Sequence, residues 1–319
     1  MLNQTLGKSA LSHPIKPPAL IGVTGATGFI GLHLIRQALD MGFSVRAMVR
    51  SPAKLQGLSH ERLDIHAYGL GEKDKAFCDG CDAVIHLAGL IKAKSRHDFD
   101  AVNVTAAANI AKAAQASRVS RFILVSSITA KAPELSDYAA SKNAGETTVK
   151  TEYNGALAII RAPAVFGPGD QATAPFMNLI LKGVLPTAGG KSWQKRKLAL
   201  VAVEDISADL LTKGLLGDYD GQTVSPCNLG AISWPEFGAM AARAADRHVR
   251  VVPIPLGIIY PIAAITSVTS ALLNKGHLTL GKLREFLYED WSSADVIQNA
   301  PPMEDRLRET LRHHIAHKK

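Results

Sequence analysis

Between residues 19 and 160, apolar positions fall into short unbroken runs separated by stretches with helical spacing. Ala19-Leu20-Ile21-Gly22-Val23 is one such run, and Val45-Arg46-Ala47-Met48-Val49 and Phe122-Ile123-Leu124-Val125 are others. Runs this short and this apolar predict strands buried on both faces, as in a parallel sheet. After the first run, Leu32, Leu34, Ile35, Ala38 and Leu39 recur at helical spacing and stop near Gly42. The alternation predicts an α/β fold with a doubly wound parallel sheet. Beyond Arg161 the pattern breaks into loops rich in Pro and Gly, with a strand expected over 198–203 and a helix over 206–216. The implied organisation is a flexible extension over 1–18, a nucleotide-binding domain over 19–165, and a smaller C-terminal substrate lobe over 166–319. Residues 198–216 are expected to return to the first domain.

Two motifs carry chemistry. Gly25-x-x-Gly28-x-x-Gly31 lies between the first strand and the first helix. Glycines there permit a tight turn and a close backbone approach, and the helix N-terminus offers free N–H groups to a pyrophosphate. A turn without a ligand would also collect glycine, but here a strand precedes the motif and a helix follows. The second motif is Tyr138-Ala139-Ala140-Ser141-Lys142. Positions i and i+4 share a helix face, so the ammonium of Lys142 is expected beside the Tyr138 phenol, lowering its pKa. Such a phenol can give a proton to a carbonyl oxygen or take one from an alcohol. The run Phe122 to Val125 delivers Ser126 and Ser127 to the carboxyl end of the sheet, where ligands bind.

With these motifs in place the chain resembles the extended short-chain dehydrogenase/reductases, the branch with sugar-nucleotide epimerases and dihydroflavonol-type reductases. Gly80-Cys81-Asp82-Ala83-Val84-Ile85-His86-Leu87-Ala88-Gly89, Val102-Asn103-Val104, Arg161-Ala162-Pro163-Ala164-Val165-Phe166-Gly167-Pro168-Gly169 and Val203-Glu204-Asp205-Ile206 follow in the family's order. The resemblance implies a Rossmann-type fold with Tyr138 as general acid/base and Lys142 on the nicotinamide ribose. It gives Ser127 a hydrogen bond to the reacting oxygen, with Ser126 as competitor. Asn103 matches a position linked to active-site architecture and proton relay, a plain helix cap being the alternative. Gly25, Thr27, Gly28, Phe29, Ile30 and Gly31 would hold the pyrophosphate side of the cofactor. Leu87, Ala88 and Gly89 would line it, and Pro163 and Val165 would sit near the nicotinamide.

Arg50 ends the second strand. A cation there accommodates the 2′-phosphate of NADP, whereas an acidic side chain would accept the ribose hydroxyl of NAD. Arg50-Ser51, with Lys54 nearby, therefore favours NADP, with NAD the alternative. After the third strand, Tyr68-Gly69-Leu70-Gly71 carries no acid, so the adenine contact is assigned to backbone around Leu70.

The net charge of +8 suits an anionic cofactor, and 47% hydrophobic content is ordinary for a globular enzyme. Part of that charge lies in the loop Lys191 to Lys197, read as a solvated turn rather than a substrate clamp. No nucleic-acid-binding module is recognisable, and only 6% of residues are aromatic. Cys78 and Cys81 have metal or redox spacing without a second ligand pair, so no metal site is assigned. The first 18 residues show no signal-peptide pattern, which points to a cytoplasmic protein. Residues 256–273 form an uncharged stretch near the minimum length of a membrane span, interrupted by Gly257 and Pro261. A buried or lid helix, or packing on a partner such as a second copy, is expected there in preference to membrane contact.

Reaction type follows less directly. Ile128 and Thr129 follow Ser127, where sugar-nucleotide dehydratases carry acids, and the stretch from Ser127 to Tyr138 is shorter than in typical epimerases. The expected activity is hydride transfer between nicotinamide and a ketone or secondary alcohol. An NDP-sugar epimerase or dehydratase is the alternative enzyme. A non-catalytic NADP-binding subunit or redox sensor is the alternative outside enzymes.

Overall fold

In the computed structural model, which describes residues 13–55, 57–273 and 279–317, the apolar runs become the centre of one parallel sheet. Its first six strands are β1 (Leu20–Thr24), β2 (Ser44–Val49), β3 (Leu63–Ala67), β4 (Ala83–His86), β5 (Arg121–Ser127) and β6 (Ala156–Ala162). Between them lie α1 (Phe29–Asp40), α2 (Asp74–Cys78), α3 (Arg96–Asp100), α4 (Ala107–Ala116) and α5 (Asp137–Glu152). The strands run parallel in the order β3-β2-β1-β4-β5-β6. Strand order reverses between β1 and β4, the switch point at which open α/β sheets bind ligands.

Helices cover both faces. Leu34, Ile35 and Ala38 of α1 pack on Ile21, Val23 and Ile160. On the opposite face, Phe77 of α2, Ile110 of α4 and Val149 of α5 pack on Val84, Phe122 and Ile159. Alternate residues of β5 serve opposite layers: Ile123 and Val125 join the first cluster, Phe122 and Leu124 the second. All seven residues of β5 are buried, which fits the apolar run Phe122 to Val125 at its centre.

The chain after β6 supplies β7 (Ala164–Phe166), α6 (Ala174–Leu181), β8 (Val184–Ala188), β9 (Lys197–Ala202), α7 (Val203–Asp209), β10 (Thr223–Val224) and β11 (Leu229–Ser233). It continues through α8 (Trp234–Ala244), β12 (Arg250–Ile254), α9 (Leu256–Leu273), α10 (Leu280–Leu287), β13 (Asp290–Trp291) and α11 (Met303–Ala316). The expected return of 198–216 to the first domain needs correcting in its strand half. β9 pairs with β7, β11 and β13 in the lobe's own sheet. Its helical half does return: α7 and the π-helical turn after it carry Ile206, Leu210 and Leu211 into the core beneath α1. β10 then adds a seventh parallel strand beside β6.

Residues 13–18 also depart from the expected extension. Ile15 is buried in the same core, and its N–H donates to Leu215 O at 2.9 Å. Residues 1–12 of that extension lie outside the described residues. The loop read as a solvated turn hides a strut, because Arg196 is buried and donates to Ala188 O at 2.5 Å and Gly189 O at 2.7 Å. α9 is also less covered than expected. From Leu256 to Ile265 only Ile259 and Ala263 are buried, against Leu283 of α10. No helix among the described residues is long and apolar enough to cross a membrane.

Candidate active site

The nucleotide edge is built from the carboxyl ends of successive strands. Gly25 follows β1 with φ +68°, and a Cβ there would come within 2.6 Å of the Ala88 nitrogen. Gly28 N–H turns back to Gly25 O at 2.9 Å, and a Cβ on Gly31 would strike Gly25 O. Only glycine lets the turn, the start of α1 and the Leu87–Gly89 strand end approach this closely. Gly28 caps α1 with no side chain, leaving the cradle of Thr27, Phe29 and Ile30 open to an anion at the positive helix end. This cradle fits a dinucleotide pyrophosphate. Arg50 is exposed at the end of β2 and makes no ion pair among the described residues; Lys54 is exposed nearby. Leu70 is half-buried in the loop after β3. Pro163 and Val165 follow β6, Val165 within β7, while Tyr138 and Lys142 lie on α5.

Thr24 Oγ1 lies 2.8 Å from His86 Nδ1 and accepts from the Ala88 N–H at 3.3 Å, which fixes the strand end that carries Leu87 to Gly89. Burial, together with the nearby Lys142 cation, lowers His86 to about 3, so the ring stays neutral.

Asn103 is a buried clamp, and the helix-cap reading fails. It sits within a π-helical turn (Ala101–Ala106) between α3 and α4. Its Oδ1 accepts from Leu90 N–H at 2.8 Å, and its Nδ2 donates to Leu90 O at 3.0 Å and Ser141 Oγ at 2.9 Å. It therefore ties the loop after β4 to α5.

The two serines part ways. Ser126 donates to Glu146 Oε1 at 2.5 Å, and Arg161 grips the same carboxylate at 2.7 Å. Ser127 lies 2.9 Å from Thr129 Oγ1, and its hydroxyl favours the phenolate of Tyr138. Ser127 is thus the hydroxyl beside Tyr138. Lys142 behaves differently from expectation, because its ammonium is buried and donates to Val125 O at 3.0 Å. Burial lowers it to about 8, opposed by Glu146. The cation acting on Tyr138 is Lys282 of α10, with its ammonium 4.6 Å from the ring centroid. Burial raises the Tyr138 pKa, while Lys282 and the Ser127 hydrogen bond pull it down.

Lys282 belongs to a cluster that sequence reasoning did not find. It pairs with Glu285 at 2.8 Å, and Glu285 accepts from Ser136, the N-cap of α5, at 2.5 Å. These groups, with Ile91, Lys92, Lys94, Phe99 and Ser267, line a cavity of about 230 Å³ over Tyr138. No local signal marks them, since Ser136 and Glu285 are 149 residues apart.

A family model described as NAD(P)H-binding matches residues 25–165. The ceramide reductase of Caulobacter vibrioides is 35% identical over 291 residues, covering 88% of this chain and 89% of the relative. The chain belongs to the extended short-chain dehydrogenase/reductase family. Within that family, the UDP-glucose 4-epimerase of Vibrio cholerae is 31% identical over 211 residues, 58% of this chain and 64% of the epimerase. The solved structure of MoeE5 with UDP-glucose and NAD superposes with a TM-score of 0.67 at 18% identity, covering 94% of this chain and 99% of that one. The protein is thus an NAD(P)-dependent enzyme whose relatives are reductases, epimerases and dehydrogenases.

Proposed function

We propose that the protein is an NADPH-dependent reductase that converts a ketone on a ceramide-type lipid into the secondary alcohol. The observation that carries this reading is Tyr138 in the lining of the cavity, with the Lys282 ammonium 4.6 Å from its ring centroid. The substrate class comes from the likeness to ceramide reductase along 88% of the chain, and Ile91 and Phe99 give the cavity apolar surface for it.

Bound NADPH supplies a hydride to the carbonyl carbon. Tyr138 donates its phenolic proton to the carbonyl oxygen, and Ser127 hydrogen-bonds that oxygen as charge develops on it. Lys282 stabilises the phenolate left behind, and solvent reprotonates it. When NADPH binds, Lys142 would hold the ribose and Arg50 would meet the 2′-phosphate. Asn103 is a positioning residue, holding the loop at Leu90 against Ser141 of α5.

An NDP-sugar epimerase is the second reading, favoured by the 31% identity to UDP-glucose 4-epimerase. The test is to incubate the purified chain with NADPH and either a ketone-form ceramide or UDP-glucose. Stoichiometric NADPH oxidation with the lipid ketone is expected. Conversion of UDP-glucose without net NADPH consumption would replace the reductase reading. NADH serving as well as NADPH would remove the NADP assignment.

A further inference from the structure

We propose that the exposed face of α9 is a docking surface for a lipid bilayer, placing the mouth of the cavity at the membrane surface. Between Leu256 and Ile265 the only polar side-chain atom is the Tyr260 hydroxyl. A helix apolar on all sides is ordinarily buried. Here Ile258 is 54% exposed, Ile262 47% and Ile265 66%. These residues recur at i, i+4 and i+7, and Gly257, Tyr260, Pro261 and Ala264 beside them are exposed too. The covered part is a narrow seam, Ile259 and Ala263 on α10. What remains is a projecting apolar ridge rather than a flat patch. A ridge of this form enters an acyl layer directly, whereas a second copy of the chain would need a matching groove.

Two further observations favour the bilayer. The ridge is continuous with the cavity: Ser267, two residues beyond Ile265, lines it opposite Ile91, which is itself 55% exposed. Lys92 and Lys94 follow Ile91 in the same lining, so the cavity mouth carries two exposed cations beside an apolar side chain. Asp137 and Glu285 are the carboxylates there, and Glu285 is already engaged by Lys282 and Ser136. With a chain net charge of +8, this arrangement complements an anionic leaflet. The inference rests on the lipid-ketone reading only for its purpose, since docking lets an insoluble substrate pass from bilayer to cavity.

Flotation of the purified full chain with vesicles of phosphatidylcholine and phosphatidylglycerol tests it. The chain should float with the vesicles. An Ile262→Asp/Ile265→Asp variant, with unchanged melting temperature and NADPH binding, should partition about tenfold less or worse. The single Ile265→Ser change, at the most exposed position, gives a smaller loss and guards against misfolding of the double variant. The variants should keep their rate on lipid ketone presented in detergent micelles. Failure of the chain to float overturns the proposal, as does equal flotation of the double variant. A dimer dissolved by these substitutions, seen by light scattering, with no vesicle binding, assigns the ridge to self-association and also overturns it. Flotation without turnover of any lipid ketone leaves docking intact and removes the substrate reading instead.

Discussion

The strand ends that form the nucleotide edge and the cavity over Tyr138 lie side by side, yet they are assembled by opposite routes. The edge is a series of short contiguous segments, each delivered by the strand before it: Gly25 to Gly31 by β1, Arg50 by β2, Leu87 to Gly89 by β4 and Ser127 by β5. The cavity is a junction between distant segments, with Lys282 and Glu285 of α10 closing over Ser136 and Tyr138 of α5. The first kind of site is encoded where it is read. The second exists only once the lobe has folded back on the sheet.

The largest test of this contrast lies at the meeting point. Tyr138→Phe removes only the phenolic oxygen, so NADPH binding should persist while kcat falls by about 10²–10⁴, or about 3–5 kcal/mol of barrier. Single-turnover kinetics with tight-binding controls will read it, and a wild-type rate would show that the phenol is not the acid. Ser127→Ala should follow with a loss of about 10².

On the edge itself, Lys142 carries a measurable cost. Its folded pKa of about 8 lies below the unfolded value of 10.5, so at neutral pH the folded state holds a buried, disfavoured ammonium. The unfolded state binds more protons between those values, so stability should rise with pH from about 8 to 10.5 relative to Lys142→Met. The rise is at most about 3 kcal/mol. Denaturant midpoints of both proteins across that range will show it. Parallel curves would mean that the ammonium is solvated.

Arg50→Asp probes an edge residue that makes no ion pair among the described residues. NADPH affinity should fall about 10- to 150-fold, equivalent to about 1.5–3 kcal/mol, with NADH affinity maintained or improved. Equal titration curves for the two cofactors in the unaltered chain would contradict the assignment.

The smallest effect belongs to the cavity. Lys282→Met should cost about tenfold in kcat/KM, the worth of one nearby charge in a partly wet site. It should also move the limb of the pH–rate profile that reports Tyr138 to higher pH, because the cation pulling the phenol down is gone. Lys282→Arg should restore the position of that limb. An unmoved limb would reduce Lys282 to a structural partner of Glu285.

The sequence by itself determined the parallel sheet, the strand–turn–helix cradle and the residues along the nucleotide edge. Each depends on neighbours within a few positions: apolar runs bury both faces of a strand, and glycines permit one tight turn. The clamp of Asn103 on Leu90 and Ser141 was not legible in the sequence. Tertiary structure decided the rest. It separated Ser127 from Ser126 by giving Glu146 and Arg161 to the latter. It sent the Lys142 ammonium to Val125 O and brought Lys282 to the phenol in its place. It buried Ile15 and Arg196, which a linear reading leaves in water, and exposed Ile258, Ile262 and Ile265 of α9, which a linear reading buries. The physical reason is common to these cases. Desolvation and through-space charge depend on which surfaces meet, and spacing along one helix or one loop carries no record of a partner on another element.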